Sequence, residues 1–291
     1  PTDLFRYNTL VTTFAQCFLS CSSLTSIPSD LFQYNVLVNT FISTFSTSGL
    51  TSIPANLFQY NINVTSFQST FQACVGLTAI PAGLFASNTL VTTFHQTLAT
   101  AIPTDLFRYN TLVTTFQQCF QLCTKITTIP VDLFRYNTLV TNFVSTFQQC
   151  TLLSVIPVDL FRYNTEVTTF AQVFNNCTTL TSIPNDIFRY NTKVTSFSQL
   201  FYNCTNLRGN IPINMFAYCP LVTDYNNVFW SCRLLVVDNT IFDLSALFRV
   251  TSFAGAFAVS GTIYSFTGTI QDIWNYATNP ILVKTGCFLN D

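Results

Sequence analysis

Proline follows isoleucine at Pro28, Pro54, Pro81, Pro103, Pro130, Pro157, Pro184 and Pro212, at separations of 26, 27, 22, 27, 27, 27 and 28 residues. A fixed period of this length means stacked units, each unable to bury its apolar face without a neighbour. It leaves little room for an ordinary globular topology. The units begin near residues 1, 28, 54, 81, 103, 130, 157, 184 and 212, so the sequence predicts about nine coils over 1–236. The copy from Pro81 to Ile102 is five residues short around the position where most units carry cysteine, which predicts a kink or a locally thinned stack.

Inside the repeat, phenylalanine forms three columns. The first is Phe5, Phe32, Phe58, Phe85, Phe107, Phe134, Phe161, Phe188 and Phe216; the second runs Phe14, Phe41, Phe67, Phe94, Phe116, Phe143, Phe170 and Phe197. The third is Phe18, Phe45, Phe71, Phe120, Phe147, Phe174, Phe201 and Phe229, with Leu98 in the short unit. Burying one such ring is worth about 1.5–3 kcal/mol and ring pairs add ~0.5–1.5, so these columns dominate stability. Composition agrees: 31 phenylalanines and 49% hydrophobic residues accompany only 8% charged ones. Because Thr, Ser, Asn and Gln interrupt every apolar run, no segment reads as membrane-spanning.

The expected fold class is an α/β solenoid. Val11, Phe14, Phe18 and Cys21 fall at i, i+3, i+7 and i+10, one helical face, although Thr12 and Thr13 lower helix propensity. Ile27-Pro28-Ser29-Asp30-Leu31-Phe32 reads as a short helical start, and Leu24-Thr25-Ser26-Ile27 as a short strand. Short parallel strands would then line one face and short helices the other. After Cys232 the period blurs, and 237–291 is expected to be a C-terminal capping region. Pro1 begins the chain at a unit start with no initiator methionine, which suggests a processed or partial polypeptide.

Cys21, Cys74, Cys123, Cys150, Cys177, Cys204 and Cys232 occupy one position of the unit, with Ser48 standing in once. One small, weakly polar side chain per coil, without paired metal-ligand spacing, reads as a structural ladder bonding neighbouring backbone. Cys17 and Cys119 precede a core Phe and are expected to pack; Cys219 and Cys287 are off the ladder, exposed candidates.

Asp105/Arg108, Asp132/Arg135, Asp159/Arg162 and Asp186/Arg189 place an acid and a base three residues apart in successive units. This stripe is either solvation of an outer face or a polar recognition strip. Tyr109, Tyr136, Tyr163 and Tyr190, each followed by Asn, are either turn chemistry with a half-buried ring or an aromatic strip suited to sugars. Together the two columns are the candidate surface site.

A net charge of −1 with evenly scattered Lys and Arg offers no row of cations for phosphates, so nucleic acid is not expected as a partner. The single histidine, His95, lies in the short unit with no nucleophile or carboxylate at a catalytic spacing, and no phosphate loop, zinc motif or nucleophile elbow is found. No cofactor, metal or catalytic residue is assigned. Asn63-Val64-Thr65, Asn176-Cys177-Thr178 and Asn203-Cys204-Thr205 match a glycosylation pattern that two ladder cysteines explain as coincidence.

The unit Asn-x-x-Val-Thr-x-Phe-x-x-x-Phe-x-x-Cys-x-x-Leu-Thr-x-Ile-Pro-x-x-Leu-Phe resembles the BspA-like leucine-rich repeats of bacterial surface proteins, most closely from Val194-Thr195-Ser196-Phe197 to Phe201-Tyr202-Asn203-Cys204-Thr205-Asn206-Leu207. It departs in carrying Phe where Met is common and Pro-x-Asp-Leu-Phe where many members have Leu-Asp-Leu. The resemblance implies a leucine-rich-repeat-like right-handed superhelix and a non-enzymatic extracellular, cell-surface or virion-surface role in adhesion or structure. Similar arrays in gut bacteria and their phages are followed by segments like Gly268-Thr-Ile-Gln-Asp-Ile-Trp274, which extends the reading to a phage fibre component. Expected partners are a protein or glycan ligand, or other copies of the chain. A self-assembling filament stacked head to tail through an uncapped end is the alternative.

Overall fold

The computed structural model describes residues 3–95, 101–236, 241–242, 244–258, 282–283, 285 and 287. The chain winds into coils that pair in parallel, one residue at a time. Thr13, Thr40, Ser66, Thr93, Thr115, Asn142, Thr169, Ser196, Asp224, Ser252 and Val283 form a continuous ladder of parallel bridges. The residue before the second Phe column is therefore the main sheet-like edge. From Thr13 to Ser252 its side chain is short and polar for a reason: it accepts from the backbone N–H two residues on. Thr13 Oγ1 takes the Ala15 N–H at 3.0 Å, Asn142 Oδ1 the Val144 N–H at 2.7 Å and Asp224 Oδ1 the Asn226 N–H at 2.9 Å.

The strand expected at Leu-Thr-x-Ile in every coil is corrected: among the described residues 24–27 form no strand, and regular pairing at this position is confined to a few coils. Strand β1 (Arg208–Asn210) pairs in parallel with β2 (Leu234–Val236), Thr128 bridges Val155, and the Arg208 N–H reaches the Thr181 carbonyl at 3.2 Å.

The short helices are corrected: no α-helix occurs among the described residues, and the regular helical element is a 3-10 helix at Leu244–Arg249. Over Phe14–Cys21 the chain makes overlapping four-residue turns. Cys17 and Cys21 N–H donate to the Phe14 and Phe18 carbonyls at 3.1 and 3.3 Å, while Gln16, Phe18 and Ser20 donate to Ile42, Thr44 and Ser46 of the next coil at 2.8–2.9 Å. Gln16 and Ser20 sit at φ of 60° and 58°, reversing the local hand twice and preventing continued helical winding. Turns of four residues and a helical face both space core residues three or four apart, so periodicity alone cannot separate them.

Within this framework the Phe columns stack. Phe14 and Phe41 lie 6.0 Å apart at 11°, Phe18 and Phe45 5.3 Å apart at 1°, and rings of different columns tilt against one another, as Phe14 on Phe32 at 4.7 Å and 43°. Offset stacks along the axis and tilted contacts across it are the arrangements that aromatic quadrupoles favour. The columns continue past Val236: Phe242 stacks on Phe216 at 5.5 Å, Phe253 on Tyr225 at 5.2 Å and Phe257 on Phe229 at 5.8 Å. These rings fall in the stretch read from sequence as a capping region; Gly261, Gly268 and Gly286 lie outside the described residues.

A second interior column was not read from the sequence as such. Asn35, Asn61, Asn88, Asn110, Asn137, Asn164 and Asn191 are fully buried. Each donates its side-chain amide twice into the preceding coil. Asn137 Nδ2 reaches the Phe107 carbonyl at 3.2 Å and the Asn110 carbonyl at 2.9 Å, and the same pair recurs in every coil from Asn35 to Asn191. The turns leave two carbonyls per coil pointing inward, and one primary amide satisfies both.

The short coil carries the second column through, with Phe94 stacked on Phe67 at 6.1 Å and on Phe116 at 6.2 Å. Leu98, the expected third-column residue, lies outside the described residues. Across that coil Lys125 Nζ donates to the Val75 carbonyl at 2.6 Å and the Leu77 carbonyl at 3.4 Å, joining coils that a full-length unit would keep apart.

Candidate recognition surface

The coil turn that begins at each Ile-Pro decides which residues face outward. In 130–137 the Leu133 N–H bonds the Pro130 carbonyl at 3.3 Å, Arg135 bonds Asp132 at 3.0 Å and Asn137 bonds Phe134 at 3.1 Å, with Asp132 at φ 62°. Leu133, Phe134 and Asn137 are thereby buried, leaving Arg135 and Tyr136 on the outside. Asp159 at φ 62° and Asp186 at φ 55° repeat the arrangement. Aspartate suits this position twice: it tolerates a left-handed backbone better than most residues, and its carboxylate reaches the arginine three residues on.

The charged column and the tyrosine column, separate in the sequence, merge into one ribbon. Arg108, Arg135, Arg162 and Arg189 contact Asp105, Asp132, Asp159 and Asp186 at 3.6, 3.3, 3.3 and 3.7 Å. Each guanidinium also lies over two rings, its own neighbour and the tyrosine of the next coil. Arg108 is 5.8 Å from Tyr109 and 5.3 Å from Tyr136; Arg135 is 5.8 Å from Tyr136 and 5.3 Å from Tyr163. Arg162 is 5.8 and 5.2 Å from Tyr163 and Tyr190, and Arg189 is 6.0 and 5.7 Å from Tyr190 and Tyr218. Tyr190 first, and Asp159 second, push the Arg162 guanidinium above its ordinary pKa.

The result is an outer rib on which ring and guanidinium alternate. Its Asp and Arg charges cancel pairwise, so it offers oriented N–H edges and aromatic faces rather than a net field. Beside it Lys193 Nζ meets the Glu166 carboxylate oxygens at 2.7 and 2.6 Å, adding a link between the coils that carry Arg162 and Arg189. The inter-coil stacking was missed in the sequence because each column was read along the chain; the one-per-unit recurrence of Arg-Tyr-Asn is the signal that joins them.

The cysteine column lies inside. Cys74, Cys150, Cys177, Cys204 and Cys232 direct Sγ at the carbonyls of Phe45, Phe120, Phe147, Phe174 and Phe201 at 2.9–3.2 Å. Cys123 is buried with its Sγ 3.8 Å from the Gln121 carbonyl, and Cys21, in the first coil, is partly buried. Burial pushes the Cys177 and Cys232 thiols up to about 12 and also raises those of Cys123, Cys150 and Cys204. Protonated thiols at these positions are donors and are poor nucleophiles.

Two expectations for the remaining cysteines are corrected. Cys219 and Cys287 are buried free thiols, and Cys219 takes the place of the ladder asparagine, 3.5 Å from the Asn191 carbonyl. Cys17, expected to pack, is exposed: its counterparts Thr44, Thr70 and Cys119 are buried with a described coil before theirs, and no described coil precedes that of Cys17. No group of three His, Cys, Asp or Glu residues suited to a metal ion occurs among the described residues. No helix among them is long and apolar enough to cross a membrane.

Fold and ribbon together define a parallel-coil repeat solenoid with an aromatic interior and a charged aromatic rib. Residues 114–242 match the family model described as Mycoplasma protein of unknown function, DUF285. Comparison with curated proteins gave no match. Among solved structures, similarity is found to a chain of the Toll–Spatzle complex of Drosophila, at 16% identity and TM-score 0.46, covering 83% of this chain and 37% of that one. An internalin, InlF, from Listeria monocytogenes aligns at 12% identity and TM-score 0.41 over 92% of this chain and 78% of that one. The functional domain of Listeria InlJ, described as including a cysteine ladder, aligns at 15% and 0.34 over 89% and 65%. This chain spans 35–49% of the length of the Toll and TLR13 chains it matches. At such distances nothing beyond the likeness itself is carried over.

Proposed function

We propose that this chain is a non-enzymatic binding scaffold, displayed outside the cell on a cell or virion surface, whose ribbon of Asp, Arg and Tyr residues in coils 103–218 is the face that meets a protein partner. The observation that carries this reading is the ribbon's alternation of guanidinium and tyrosine at 5.2–6.0 Å over successive coils. Exposed Tyr and Arg supply much contact area and many hydrogen bonds for little ordering cost, since each is already held by its neighbours. The thiols from Cys74 onward are buried and held protonated, which supports a role without covalent chemistry at those positions. The resemblance to BspA-like surface repeats supports the location.

The test is a binding screen of the whole chain against panels of extracellular proteins and glycans, repeated with Arg135→Ala/Arg162→Ala. The expected outcome is a protein ligand whose affinity falls at least tenfold in the double variant while circular dichroism is unchanged. Equal binding by the variant, or ligands confined to glycans, would remove the ribbon as a protein-binding face.

A further inference from the structure

The shortened coil is where the ribbon loses all three of its groups. The coils starting at 28, 54 and 212 lack the arginine (Gln33, Gln59, Ala217) but keep Tyr34, Tyr60 and Tyr218. In the places of Asp, Arg and Tyr, coil 81–102 carries Gly83, Ala86 and Ser87. All three recognition groups are lost together, although the coil keeps its buried Leu84, Phe85 and Asn88. Gly83 holds the same left-handed backbone as its aspartate counterparts, at φ 76°, and a Cβ there would meet no atom within 4 Å. The space in front of this coil is open.

The flanking tyrosine registers the loss. In the ribbon, Tyr136, Tyr163, Tyr190 and Tyr218 each receive the guanidinium of the preceding coil at 5.2–5.7 Å. For Tyr109 the residue in that position is Ala86, and among the described residues the cation over its ring is its own neighbour Arg108, at 5.8 Å. Tyr109 is 54% exposed, against partial burial for Tyr136 and Tyr163. On the other side of the gap Tyr60 is 47% exposed.

We propose that this notch, between Tyr60 and Tyr109 over Gly83, Ala86 and Ser87, receives an arginine side chain from a partner protein, which completes the ribbon in trans. The proposal rests on the ribbon being a protein-binding face and names the chemistry of its specific contact. The chain's own repeats set the geometry: a planar guanidinium at this register stacks on the ring of the following coil. Arginine is favoured over lysine because the contact is planar and the ammonium is more strongly hydrated. A truncated side chain beside an exposed aromatic is also how interfaces make pockets for a single anchoring residue.

The experiment titrates the full chain, labelled at its tyrosine rings, with the peptide Gly-Gly-Arg-Gly-Gly and with its lysine and citrulline counterparts, read by NMR. The expected result is a saturable shift of the Tyr109 ring in the millimolar range with the arginine peptide. It is at least fivefold weaker with citrulline, the neutral isostere, and weaker with lysine. Ala86→Arg fills the notch from within and abolishes the shift. Tyr109→Leu abolishes the response at the other notch residues, which covers the case in which Ala86→Arg misfolds. Equal shifts with citrulline, undiminished binding by Ala86→Arg, or saturation by neutral oligosaccharides instead of the arginine peptide would overturn the proposal. The ribbon variant of the preceding section lies outside the notch. If it loses its protein ligand while the arginine peptide leaves Tyr109 unmoved, the notch fails and the ribbon stands; the reverse pattern separates them the other way.

Discussion

Two hydrogen-bonding columns run beside the phenylalanines in the interior of this solenoid, and they differ in how strictly each position is filled. The asparagine column is unbroken from Asn35 to Asn191, short coil included, and each amide closes two carbonyls of the coil before it. The cysteine column makes one sulfur contact per coil and accepts Ser48 in its series. The number of donors required decides the tolerance. Two inward carbonyls side by side can be met by one primary amide and by little else of that size, whereas a single carbonyl accepts any small weak donor. Where the second carbonyl is left to Cys219, the contacts lengthen to 3.8 and 3.5 Å.

Alkali should divide the columns most sharply, because only one of them titrates. Burial pushes the folded Cys177 and Cys232 thiols up to about 12 and raises those of Cys150 and Cys204, while an unfolded thiol ionises near 9. Their contribution to stability is therefore complete below pH 9 and is lost as pH rises from 9 toward 12. Each buried cysteine withdraws about 1.4 kcal/mol per pH unit in that window. Urea unfolding should accordingly be flat from pH 6 to 8 and weaken steeply above 9. Replacing Cys150, Cys177 and Cys204 together by Ser should flatten that fall; an unchanged slope would show that the column does not control it.

Next in size is Asn137→Ala, which removes the side-chain donor to the Phe107 and Asn110 carbonyls and leaves each with its turn bond alone, from the Asn110 N–H at 3.1 Å and the Val113 N–H at 3.3 Å. Two hydrogen bonds lost at about 0.5–1.5 kcal/mol each give an expected loss of about 1–3 kcal/mol in urea unfolding. Cys150→Ser keeps a donor at the same place and should cost no more than about 1 kcal/mol. Similar losses in these two variants would break the comparison. The smallest effect concerns the turns. Leu122 is an exposed leucine held at φ 63°, and Leu122→Asn should stabilise by about 0.5–1 kcal/mol, read as a raised melting temperature.

The stacked repeat was legible from Ile-Pro spacing and the three Phe columns, since burial of large rings leaves a strong periodic trace. The turns were hidden because the spacing of Phe14, Phe18 and Cys21 fits both a helical stripe and successive four-residue turns. Only the positive φ at Gln16 and Ser20 distinguishes them. Asn137 was read as turn chemistry, and it does close a turn, with its N–H on the Phe134 carbonyl at 3.1 Å. Its larger role spans coils and becomes visible only once the coils are laid on one another. The same holds for Arg135, whose closer ring belongs to Tyr163 in the next unit and not to its sequence neighbour.

The coil of 22 residues, carried through by Asn88, Phe94 and the reach of Lys125 across it, has a meaning for how such a chain can change over generations. Every column is completed by adjacent copies alone, so a copy can be trimmed, duplicated or dropped and the rest still finds its register. Length here is a trait that can be adjusted in whole steps.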